Sequence, residues 1–161
     1  MSHSGIPDYN GSASLTVPQT PSLASSTSNT SLRAIGIAIS GAAIFNDQDG
    51  CGAVDQAAVT LDYTGAHIGP REYHYHLEPK AWSDDDDVLI GIISDGFFLY
   101  GRKCNATADY PTDLDESGGH VSTTQHAVSP EYHYHIKNEL FLSTYYLLFA
   151  EDYQGTPNAI Q

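Results

Sequence analysis

With 161 residues the chain has the length of one domain, or of one domain carrying a tail. Twenty acidic against six basic residues leave a net charge of -14, which excludes a basic face for nucleic acid or an anionic membrane and favours cations as partners. No apolar run reaches membrane-spanning length, so no membrane insertion is expected.

The opening Met1-Ser2-His3-Ser4-Gly5 has neither the basic region nor the apolar core of a signal peptide. A free amino terminus with histidine third chelates copper, so His3 is a minor candidate if Met1 is the mature start. Residues 1–32, rich in Ser, Thr, Pro, Asn and Gly, cannot bury enough apolar surface to offset their ordering entropy. They read as a flexible arm, held by this domain or by a neighbouring copy. Ser14-Leu15-Thr16-Val17 is a candidate strand for assembly with another copy into a homo-oligomer or filament.

The domain proper spans 33–155 and divides into half one (33–80), half two (88–137) and a closing segment (138–155), with 156–161 as tail. In half one, Ala34 to Ser40 has the β-branched apolar character of a buried strand, and Ala43-Ile44-Phe45 follows a glycine turn. A polar loop through Cys51 leads to Ala57–Tyr63, whose alternation predicts a strand. Asp62, Gly65 and His67 precede Tyr73-His74-Tyr75-His76. Half two repeats this plan, with Val88 to Ser94, then Gly96 to Gly101 and a loop through Cys104. Asp115, Gly118 and His120 restate the earlier spacing, and Tyr132-His133-Tyr134-His135 restates the tetrapeptide. Such internal repetition predicts a mainly β sandwich or barrel built from two similar halves about a pseudo-twofold axis. Leu140 to Phe149, dense in Tyr, Phe and Leu, is expected to close the core as a strand.

Histidines at i and i+2 of a strand share one face, leaving the tyrosines on the other. Imidazole suits Zn, Cu, Fe and Ni, and three from one side of a small sheet make a facial site. The candidate ligands are therefore His67, His74 and His76 in half one and His120, His133 and His135 in half two. Asp62 and Asp115 are candidates to complete a site or orient a ring from behind, with Asp95 a further acidic candidate. The bland reading is a cross-strand aromatic ladder whose histidines bond to backbone. Tyr73, Tyr75, Tyr132 and Tyr134 are expected to fill the core and use their hydroxyls as hydrogen-bond handles.

Cys51 and Cys104 occupy corresponding loops, and a disulfide bridging the halves is expected, against two buried thiols. A paired set leaves only nitrogen and oxygen ligands, which suits copper or zinc, copper slightly ahead by the affinity order. Asp84 to Asp87 could clamp calcium, but lacks the glycine and terminal glutamate of an EF-hand loop and reads as an acidic turn. Asn10, Asn29 and Asn105 each begin a glycosylation sequon. No nucleophile elbow, P-loop or dinucleotide fingerprint occurs, and nothing specifies a serine device around Ser40 or Ser94.

The apolar strand with Ser-Gly, the element Asp95-Gly96-Phe97-Phe98-Leu99-Tyr100-Gly101, the element Asp115-x-x-Gly118-Gly119-His120 and the closing Tyr-His-Tyr-His together resemble the YHYH domain family, over about Ile35 to Gly155. The resemblance implies a secreted or surface location and attaches no reaction. The expectation is an extracellular metal-binding structural protein. A copper or zinc enzyme with an open coordination position, and a metal-free adhesion module, are the alternatives.

Overall fold

The computed structural model describes residues 13–50, 52–69 and 72–161, so His3, Asn10 and Cys51 lie outside the described residues. Among the described residues twelve strands form: β1 Leu23–Ser28, β2 Gly36–Ala38, β3 Ala43–Ile44, β4 Gln48–Asp49, β5 Gly52–Ala53, β6 Ala66–Ile68, β7 Tyr73–Tyr75, β8 Leu89–Ile93, β9 Phe98–Tyr100, β10 Gly119–Ser122, β11 Glu131–His135 and β12 Tyr153–Gly155. The chain is mainly β. Eight strands form one sheet in the order β10-β11-β9-β8-β2-β3-β7-β6, curled into a half-barrel rather than a closed barrel or two facing sheets.

The two β-branched runs meet at the middle of this sheet as the antiparallel pair β2–β8. Outward from it the same pairings occur in each half: antiparallel β2–β3 and β8–β9, then parallel β3–β7 and β9–β11, then antiparallel β6–β7 and β10–β11. The central pair is joined closely. A Cβ at Gly36 would stand 2.6 Å from the Ile92 carbonyl oxygen, and one at Gly91 would meet the Ile37 carbonyl. Only glycine tolerates that approach.

One sheet face carries the core, with Ile35, Ile44, Tyr75, Ile90, Ile93, Leu99 and Tyr134 among its members and Leu148 and Phe149 of the closing segment packed in. Each large aliphatic or aromatic side chain buried there contributes roughly 1.5–3 kcal/mol of transfer free energy. Tyr73 and Tyr132 pack partly buried against the same cluster.

Three segments differ from expectation. Where alternation over 57–63 predicts a strand, the chain instead makes two short 3-10 turns, Val54–Gln56 and Ala58–Thr60. Val59 is 92% exposed, so that alternation does not reflect burial. The closing segment makes turns, with Leu142 and Ser143 at positive φ, and touches the end of β7 through the isolated bridge Leu77 to Leu147. Finally, residues placed by composition in the N-terminal arm pair within the chain: β1 with β12, and Leu15 with Ile160.

Candidate metal centres

The alternation of Tyr and His in β7 and β11 sorts the side chains onto two faces. Tyr75 and Tyr134 enter the core, and the imidazoles turn to the opposite side, where loops cover them. There His74, His76, His133 and His135 are at most 3% exposed. The third histidine of each set comes from the edge strand paired to the motif: His67 lies opposite His74, and His120 opposite His133. A turn delivers each edge strand. Asp62 and Asp115 begin these turns, and Gly65 and Gly118 end them at φ of +79° and +75°, where a side chain would be strained.

In half one the three Nε2 atoms converge. Those of His67 and His74 are 3.0 Å apart, as are those of His74 and His76. A carboxylate oxygen of Asp49, at the end of β4, joins them, so that all four ligand atoms lie within 4.8 Å of one another. Phe45 stacks on His74 with ring centroids 3.8 Å apart, closing the set from one side. In half two the Nε2 atoms of His133 and His135 are 3.1 Å apart. The Sγ of Cys104 and ring nitrogens of His120 and His135 lie within 4.8 Å of one another. Among the described residues Cys104 is a free, buried thiol whose sulfur faces imidazoles and the Ser122 hydroxyl, while Cys51, its expected disulfide partner, lies outside them.

Hydrogen bonding at the far nitrogen of each ring fixes its tautomer. His74 and His76 each donate Nδ1–H to a backbone oxygen, of Glu72 at 3.1 Å and Asn46 at 2.7 Å. His133 and His135 do the same to Glu131 at 2.9 Å and Gly101 at 2.7 Å. His67 faces the Thr60 hydroxyl at 2.8 Å; that hydroxyl donates its own proton to the Ala57 carbonyl, so here too Nδ1 donates. His120 donates to the Asp113 carboxylate at 2.8 Å. A neutral imidazole carries one proton, so the Nε2 atoms of His67, His74, His76, His133 and His135 are bare acceptors.

Bare nitrogens about 3 Å apart repel unless a proton or a cation lies between them. Burial acts against the proton: it lowers the pKa of His67, His76 and His133, and pushes His74 and His135 down to about 4. The Nε2 of His120 is buried with no hydrogen-bond partner at all. An ion about 2.0–2.1 Å from each nitrogen, the zinc–imidazole distance, spans nitrogens roughly 3 Å apart. The donor set therefore fits a borderline divalent cation.

The carboxylates selected from sequence sit elsewhere, with the tyrosines. Asp62 accepts from the Tyr73 hydroxyl at 2.6 Å, Asp115 from Tyr132 at 2.9 Å and Asp95 from Tyr134 at 2.5 Å. Asp49 and Asp113 take the places expected of them, and neither carries a motif that marks it in the sequence. The acidic run is answered from within the chain, Asp85 meeting Arg102 at 3.2 Å and Lys103 at 3.0 Å.

Comparison with known proteins places a family model described as YHYH protein on residues 14–112, reaching further toward the N-terminus than the motif resemblance and stopping short of the second tetrapeptide. No curated protein and no solved structure matches the chain.

Proposed function

The chain belongs to the YHYH protein family, whose name describes a motif and not an activity, and from the site itself we propose that the protein is a structural metal-binding protein holding one ion, zinc or copper, in each half. The observation that carries this reading is the set of inward-facing Nε2 atoms, those of His67, His74, His76, His133 and His135 left without a proton by the partner of their Nδ1 and that of His120 buried without a hydrogen-bond partner. The matched pairings outward from β2–β8 support a pseudo-twofold relation between the halves, with one site in each. Near-complete burial of the motif histidines, together with the fourth ligand atom that Asp49 brings in half one, favours a closed structural site over an open catalytic one. The metal would then stabilise the fold by mass action.

The strong negative charge and the family resemblance support an extracellular or surface setting. Assembly through the N-terminal arm would exchange the β1–β12 pairing between copies.

Elemental analysis of natively purified protein, followed by zinc and copper titration of the chelator-stripped chain, tests the reading. The expected result is two equivalents per chain. H133A/H135A should retain one and melt at a lower temperature. Failure of the stripped, folded chain to take up either metal would refute it.

A further inference from the structure

The two sets are not copies of one another. Where half one brings the Asp49 carboxylate to its imidazoles, half two brings the Sγ of Cys104. That sulfur is 1% exposed and free, with the Ser122 hydroxyl at 3.6 Å as its hydrogen-bonding neighbour. Beside it the Nε2 of His120, a residue more than nine-tenths buried, has no partner, although its Nδ1 is anchored on Asp113. A lone buried cysteine would be a packing residue. A buried sulfur sharing its pocket with an orphaned imidazole nitrogen and the bare Nε2 atoms of His133 and His135 is a ligand set.

We propose that the second site is a thiolate centre, with Cys104, His120 and His135 as ligands and His133 beside them, chemically distinct from the carboxylate–histidine centre of Asp49, His67, His74 and His76. This rests on the two-site reading above and specifies what each site takes. Hard carboxylate oxygen with imidazole suits Zn2+ or Cu2+, whereas thiolate with imidazole favours soft ions, Cu+ and Zn2+.

Cobalt(II), a spectroscopic stand-in for zinc, separates the outcomes. The full chain, stripped and held under reducing conditions, would be titrated with Co2+ while absorbance and bound metal are followed. Two equivalents should bind, only one of them producing a sulfur-to-cobalt charge-transfer band in the near ultraviolet. C104S should abolish that band and keep the other site, and D49N should keep the band while weakening the first site by at least about tenfold. Two bound equivalents without the band would overturn the thiolate assignment and leave the two-site reading standing. A band that survives in C104S would place the sulfur ligand on the other cysteine and overturn it too. No uptake of Co2+, Zn2+ or copper would overturn both.

Discussion

Replacing Tyr134 by phenylalanine removes a single oxygen from the middle of the second motif, and its cost follows from what that oxygen touches. The hydroxyl donates to Asp95 Oδ2 at 2.5 Å and accepts from the Gln154 amide at 2.8 Å. Asp95 is 2% exposed, and burial pushes its pKa up against the donors from Tyr134, Gly155 and Phe97 that hold it charged. Losing a hydrogen bond to a charged acceptor costs about 1.5–3 kcal/mol, and stranding the partly buried Gln154 amide adds roughly 1 more, so Y134F should lose about 3 kcal/mol. Tyr75 is the built-in control. It holds the same place in half one, yet its hydroxyl only accepts a 3.4 Å contact from the Trp82 indole, so Y75F should lose under about 1 kcal/mol. Urea unfolding of both variants, with metal content checked alongside, measures the difference. Both should bind the same metal as the parent, because the imidazoles lie across the sheet. Equal losses from the two substitutions would refute the assignment of Tyr134 as the anchor of a buried carboxylate.

Three other perturbations have expected outcomes. His74 and His135 sit at about 4 in the fold, below the ordinary 6.5, so the unfolded chain binds protons that the folded chain refuses. Metal-free protein should therefore lose stability as pH falls from about 6.5 to about 4 and regain it above that window; a urea midpoint flat across the window would count against this. Arg102 meets the fully buried Glu78 carboxylate at 2.9 Å, and R102M should cost about 3–5 kcal/mol by leaving that charge unpaired, with E78Q/R102M recovering part in a thermal melt. G65A should lose more stability than G41A by chemical unfolding, because both positions have positive φ but only at Gly65 would a Cβ strike the chain, 2.8 Å from Leu77.

Much of the fold's logic was legible because it repeats. The doubled Tyr-His alternation marks which side chains share a face, and the recurring Asp-x-x-Gly turn marks where an edge strand returns to bring His67 and His120 opposite the motif. What escaped depends on loops, whose paths no periodicity encodes. Asp49, from the two-residue strand β4, and Asp113, from irregular chain, reach the imidazoles because of where these connections run, and they have no spacing of their own to notice. Asp62 and Asp115 looked like companions of the histidines because they stand near them in sequence, but they begin the turns and accept from the Tyr73 and Tyr132 hydroxyls, as Asp95 does from Tyr134. The expectation for Cys104 came from the habits of secreted proteins rather than from local pattern, and its neighbours turned out to be imidazoles. The polar composition of the N-terminal stretch, for its part, gave no sign of the short backbone ladder that β1 makes with β12.

The parallel pairings β3–β7 and β9–β11 bear on how the protein is made. A parallel pair needs a long crossover, and here each crossover supplies two of its own half's candidate ligands, Asp49 and His67 in the first and Cys104 and His120 in the second. Every candidate ligand of the first cluster lies between Asp49 and His76, and every one of the second between Cys104 and His135. A ribosome that has extruded the first 80 residues has thus delivered a complete ligand set before the second begins, and neither set waits on the other. On the two-site proposal, chains synthesised under metal scarcity should therefore include singly occupied molecules beside full and empty ones.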